Sequence, residues 1–117
     1  MPVIPPLSPV TVQQAEAGDA AAQFTLADHY RATAQPEKML HWLRASADQG
    51  YPQAQTSLGV LYYTGEHVPQ DLAIAHAWLV QAADQGDVEA AVIEGRLSVE
   101  RIEDEVRRQR ELTPRRP

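Results

Sequence analysis

The chain has 117 residues, 44% of them hydrophobic, no cysteine and a formal net charge of −6. Its length fits one domain, the missing cysteines exclude a disulfide framework or a Cys-ligated zinc site, and no window approaches the roughly 20 apolar residues of a membrane-spanning helix. Residues 1–86 carry 8 acidic and 3 basic side chains and residues 87–117 carry 8 and 7, so the body repels phosphate backbones, and a basic or apolar protein surface is the expected partner in place of nucleic acid or membrane.

In chain order, "MPVIPPLSPV" holds no basic stretch and no apolar run of signal length, which predicts a soluble, cytoplasmic protein. Ser8 can cap, and Pro9 can open, a short leading helix over residues 9–17 that "AEAG" closes at Gly18. A related tetrapeptide, "ADQG", then occurs at residues 47–50 and again at 83–86.

Alignment on those glycines divides residues 19–86 into two units, 19–50 and 51–86. Ala22-Gln23 falls on Ala54-Gln55, Leu26 on Leu58 and Tyr30 on Tyr62; beyond a four-residue gap, Trp42-Leu43 falls on Trp78-Leu79. Each block has helical periodicity, with Ala54, Leu58, Leu61 and Tyr62 on one face and Ala75, Trp78, Leu79, Ala82 and Ala83 on another. Each unit is therefore a predicted helical hairpin, and the gap places a tighter connection between Tyr30 and Met39 in the first. Pro36 and Pro52 suit first-turn positions, Asp19 and Asp87 suit N-caps, Asp71 or Gln70 can open the helix after Pro69, and Gly50 and Gly86 suit the left-handed turn past a helix end. Trp42 and Trp78, at one repeat position, read as core.

The second unit resembles the Sel-one-like repeat (SLR) family, relatives of the tetratricopeptide repeats, at Ala54, Leu58, Gly59, Tyr62, Gly65, Val68, Gln70, Asp71, Ala75, Trp78, Ala82, Ala83 and Gly86. The first unit departs from that pattern: Ala27 replaces a glycine, Met39 replaces an alanine, and the loop glycines are missing. In the second, His67 stands where the family has the second loop glycine. The resemblance implies an all-α fold, a right-handed superhelix of antiparallel helix hairpins, and a role in binding or scaffolding other proteins.

Residues 87–117 form the third part, a capping helix and an arginine-rich tail. No proline interrupts Val88 to Leu112, and Glu103 with Arg107 and Asp104 with Arg108 are spaced as i,i+4 pairs. Ala90 and Gly95 match the first helix of a unit, but Glu94 takes the place of Leu26 and Leu58, which predicts that the stack ends here with that position exposed. Val88, Val92, Gly95, Val99, Ile102 and Val106 step by 4, 3, 4, 3 and 4, a seam of coiled-coil type. Its first half is expected to pack on the preceding helix. Val99, Ile102 and Val106 in its outer half are candidates for weak self-association, so the chain is a monomer or weak homodimer.

Chemistry is sparse. Glu37 and His41 have metal-ligand spacing but no second close pair beside them. His29 and His76 sit in no catalytic motif, Ser8, Ser46, Ser57 and Ser98 are scattered, and there is no glycine-rich phosphate loop. Arg107, Arg108, Arg110, Arg115 and Arg116 lack accompanying aromatic residues and are interrupted by Glu111. No catalytic residue, metal or cofactor is assigned.

The resemblance places partner binding on the concave face, on exposed first-helix positions: Phe24, Asp28 and Arg31 in the first unit and Gln53, Thr56, Val60 and Tyr63 in the second. The expected partner is another protein or peptide, either through an adapter role or as one dedicated cognate partner. The alternative, a small-ligand-binding or hydrolase-type SLR protein, resembles disulfide-rich secreted repeats, and the absence of cysteine argues against it.

Overall fold

The computed structural model describes residues 6–112, which form six helices and no strand: α1 (Pro9–Glu16), α2 (Ala20–Ala32), α3 (Pro36–Asp48), α4 (Pro52–Thr64), α5 (Leu72–Asp84) and α6 (Val88–Leu112). Local chemistry sets their starts. The Ser8 hydroxyl accepts from Val10 N at 3.3 Å, and Asp19, Asp71 and Asp87 accept from Ala22 N, Ile74 N and Ala90 N at 2.9–3.0 Å. Proline opens α1, α3 and α4, where its missing N–H has no carbonyl to lose. Gly50 and Gly86, at φ 88° and 96°, turn the chain out of α3 and α5.

The helices of the two hairpins are each 13 residues long. Residues 33–35 join α2 to α3 whereas 65–71 join α4 to α5, so the whole four-residue difference between the units lies in the connection. The longer connection folds back on its own hairpin. Val68 is buried in the core, Gln70 Nε2 donates to the Tyr63 carbonyl at 2.8 Å, and Asp71 N donates to the Tyr62 carbonyl at 3.0 Å. His67 retains the left-handed backbone, φ 63°, that glycine adopts without a Cβ penalty.

Each helix packs chiefly on its neighbours in sequence, as expected of a stack in which contacts are local. Three apolar clusters follow one another. Ala15, Ala22 and Leu26 lie at the α1 end, Leu43, Ala47, Ala54 and Leu58 in the middle, and Ala75, Leu79, Ala82, Ala90 and Leu97 at the α6 end. The small alanines bring helix axes close together.

Between the units runs a buried amide clamp. Gln23 Nε2 donates to the Ala15 carbonyl at 3.1 Å, and Gln49 Nε2 donates to Gln23 Oε1 at 2.6 Å. One unit later Gln55 Nε2 donates to the Ala47 carbonyl at 3.3 Å and Gln85 Nε2 to Gln55 Oε1 at 2.8 Å. The recurring "ADQG" thus offers an alanine carbonyl to the next unit and a glutamine to its own. At the third interface the position of Gln23 and Gln55 is Ala91, which is exposed.

The structure corrects four expectations. Trp42 and Trp78 are half-buried, packing on the margin of the middle cluster; their indoles are too large to be enclosed among alanines. Glu94 is not left exposed: Ser98 Oγ donates to it at 2.5 Å, and its side chain is only 26% accessible. The seam does not pack on α5. Ala90, Ile93 and Leu97 do, while Val88, Val92, Val99, Ile102 and Val106 are all exposed, because the heptad steps follow the opposite face of the helix. Finally, Arg107 pairs with Asp104 and Arg108 with Glu105, at i,i+3 rather than i,i+4, both at 3.2 Å.

Candidate protein-binding groove

The first helices of the two hairpins, α2 and α4, together with the 65–71 connection and the start of α6, border a concavity of about 370 Å³. Phe24, Ala27, Met39, Leu43, Val60 and Leu61 supply its apolar lining. Phe24 is steadied by a tilted contact with Tyr51, ring centroids 5.4 Å apart. Its charged border comprises Asp28, Glu66, Asp87 and Glu89 against Arg31 and His67. Arg31 is ion-paired to Asp28 one turn before it, and His67 Nε2 lies 3.5 Å from Glu66 Oε1. Four carboxylates against one guanidinium and one imidazole make the groove acidic, and the apolar floor lowers the local dielectric and strengthens that field.

Six of the seven side chains predicted for the concave face meet in this groove: Phe24, Asp28, Arg31, Gln53, Thr56 and Val60. Besides the Asp28–Arg31 pair, two of the seven are engaged by the segment that begins at Asp87. Thr56 is buried, its Oγ1 donating to Asp87 Oδ2 at 3.0 Å, which ties α4 to the N-terminus of α6. Tyr63 lies outside the lining and turns to α6, its hydroxyl 2.6 and 2.7 Å from the two Glu100 oxygens. Accepting that hydrogen bond, the Glu100 carboxylate pushes the Tyr63 pKa above the usual 10.0, and burial and the carboxylate's charge add to the shift. Sequence reasoning did not find Glu66, His67, Asp87 and Glu89. The first two reach the groove because the loop folds back, and the last two because α6 begins beside α4. His67, unassigned from sequence, therefore stands on the groove border.

The matched segments now have a geometry. Residues 20–51 and 52–87 each match the Sel1 repeat. The chain belongs to the Sel1 repeat family. The Sel1 frames begin one residue after the glycine-anchored units and enclose α2–α3 and α4–α5, so the groove spans both Sel1 repeats and is closed at one end by the helix that follows them. Among solved structures, the chain is similar to a Sel1 repeat protein from Oxalobacter formigenes, at 33% identity over 74% of this chain and 68% of that one, with a TM-score of 0.71. It is also similar to a protective antigen present in uropathogenic Escherichia coli strains that displays an SLR fold, at 36% identity and a TM-score of 0.71 over 75% of this chain; the match spans 20% of the antigen. No curated protein matches the sequence. Sel1 repeats are generally helical scaffolds of protein interaction.

The other polar sites are of a different kind. Glu37 and His41 share the outer face of α3 with Arg44 and Asp48, and among the described residues no three His, Asp or Glu side chains are placed to hold a metal. Ser98, Glu94 and His76 meet between α5 and α6, but the serine donates to Glu94, and His76 Nδ1 lies 3.2 Å from the same Glu94 oxygen without hydrogen-bonding geometry. Ser98 thus bonds a carboxylate and not the imidazole, so these three do not form the serine–histidine pair used in nucleophilic catalysis. Arg115 and Arg116 lie outside the described residues. No helix among the described residues is long and apolar enough to cross a membrane.

Proposed function

We propose that this Sel1 chain is a non-catalytic protein-binding module whose groove takes an extended segment combining apolar and basic side chains. The observation that carries the reading is the pairing of an apolar floor, with Phe24 and Val60 half-buried, and an acidic border of Asp28, Glu66, Asp87 and Glu89. Apolar side chains anchor a partner by leaving water, and complementary charge sets its orientation and speeds its arrival. An acidic, alanine-rich body favours a basic partner for the same reason. Two repeats offer a short groove, which suits one cognate segment better than a many-client scaffold.

Fluorescence anisotropy with labelled peptides tests this. A peptide alternating arginine and leucine should bind the full chain, and one alternating glutamate and leucine should not. Glu66→Lys with Glu89→Lys should weaken binding at least tenfold. Asp48→Lys with Asp84→Lys, the same change in net charge on exposed positions outside the groove, should have little effect. Equal losses in the two double variants would show that net charge alone governs binding and would overturn the assignment of the groove.

A further inference from the structure

Helix α6 carries the first-helix signature of a third unit but runs on past the point where the hairpins turn. Ala90 and Gly95 stand 36 residues after Ala54 and Gly59. In α4 the glycine admits the next helix, since a Cβ on Gly59 would lie 2.7 Å from Leu79 Cγ. Helix α4 stops at Thr64, and Gly65 at φ 75° turns the chain so that α5 can lie back on it. At the corresponding position, Arg101, α6 does not turn but runs on to Leu112. Apart from its chain neighbours and the backbone of its own helix turns, no described atom lies within 4 Å of where a Cβ on Gly95 would stand.

The uncovered face is apolar. Six of the eight exposed large hydrophobic side chains among the described residues lie on α6, with Val88 75%, Val99 54%, Ile102 63% and Val106 44% accessible. With Val92 and Gly95 they form one stripe, about 180° around the helix from the buried Ala90 and Leu97 at roughly 100° per residue. An end unit that only closes a stack needs a polar outer face.

We propose that this stripe pairs with the same stripe of a second copy as a parallel, in-register, two-stranded coiled coil. The stripe runs about 27 Å from Val88 to Val106 at 1.5 Å per residue. The eight-residue α1 of another molecule could cover less than half of that. Steps of 4, 3, 4, 3 and 4 are the coiled-coil repeat, with Val92, Val99 and Val106 at one core position and Val88, Gly95 and Ile102 at the other. Charge agrees with this register. Glu105 just before core position 106 faces Arg110 of the second copy, five residues on, and symmetry provides the contact twice. The other facing positions set Ser98 against Glu103 and Ala91 against Arg96, so no like charges meet. Because the seam points away from α5, the two repeat bodies lie on opposite sides of the pair, and the contact closes on itself as a dimer.

Sedimentation of the full chain decides the matter. The protein should form a concentration-dependent dimer. Val99→Lys with Ile102→Lys should weaken it more than about a hundredfold by removing two buried aliphatic side chains per copy, while the melting temperature of the monomer stays unchanged because both residues are exposed there. The chain has no cysteine, so Val92→Cys introduces one thiol, which meets its counterpart only in the parallel register and should oxidise to a covalent dimer. A monomer at several hundred micromolar, or a dimer that survives the double lysine variant, would overturn the proposal. Loss of the dimer in the lysine variant without a Val92→Cys disulfide would overturn the parallel arrangement.

Discussion

Leu79 occupies the space that Gly59 leaves empty: a Cβ added to Gly59 would stand 2.7 Å from Leu79 Cγ and 3.3 Å from the Ala75 carbonyl oxygen. Neither can withdraw easily, since Leu79 is fully buried and the carbonyl is part of α5. In the first hairpin the corresponding residue is Ala27, buried beside Leu43 in the same cluster, so that helix pair accommodates a methyl group.

Gly59→Ala should therefore destabilise the fold by about 1–2 kcal/mol, overpacking outweighing the roughly 1 kcal/mol that alanine gains over glycine within a helix. Gly95→Ala, with open space around it, should instead stabilise by up to about 1 kcal/mol. Urea unfolding of the two variants checks the opposite signs. Stabilisation by both would mean that α4 and α5 are less closely packed than described.

The amide clamp makes Gln55 more costly to remove than Gln85, the glutamine that donates to it. Gln55→Ala removes the bonds to the Ala47 carbonyl and to Gln81 and leaves Gln85 without its acceptor, although Gly50 N still donates to the Ala47 carbonyl, and should cost about 1–3 kcal/mol. Gln85→Ala, on an exposed residue, should cost less than 1 kcal/mol. Chemical denaturation of both variants gives the comparison, and equal losses would mean that the bond to Ala47 contributes nothing.

Tyr63 and Glu100 give stability a dependence on alkaline pH. The hydrogen bond to Glu100, then burial, raises the Tyr63 pKa above 10.0 in the fold. The folded state thus holds the phenolic proton more tightly than the unfolded chain does. This contribution is complete below about pH 10 and declines as pH rises through the raised value. Wild type should lose stability there more steeply than Tyr63→Phe, whose curve should be flatter above pH 10. Parallel curves in thermal melts from pH 8 to 11 would show that the bond is absent in solution.

Every described residue from Arg101 onward is exposed, so at concentrations too low for dimer formation removing residues 101–117 should leave helicity per residue and melting temperature close to those of the full chain. Removing 87–117 takes away Ala90 and Leu97, both 0% accessible, together with the Asp87 contact to Thr56, and opens the cluster around Leu79 and Ala82 to water. That chain should not fold cooperatively. Circular dichroism during heating distinguishes the two, and a cooperative melt from the shorter chain would show that two repeats need no following helix.

Much of this architecture is local, and local chemistry is written in the sequence. Ser8, Asp19, Asp71 and Asp87 bind main-chain N–H groups within three residues of themselves, and glycine at 50 and 86 supplies a backbone that few other residues adopt. The 3.6-residue period marks the hairpins, and a gap in the repeat alignment locates the length difference in one connection. Six of seven predicted groove residues were legible for the same reason, as equivalent positions on equivalent helices. What required the tertiary structure was every relationship between elements whose rotation about their own axes the pattern leaves open. The α6 heptad is a valid period, yet Ala90, Ile93 and Leu97 form an equally regular face, and fit against α5 chose between them. Likewise, Glu66 and His67 border the groove because the loop folds back, Tyr63 turns to Glu100, and the "ADQG" glutamines meet partners 26 and 30 residues away. Such contacts depend on the distances and angles between packed helices, which residue spacing along one chain segment does not encode.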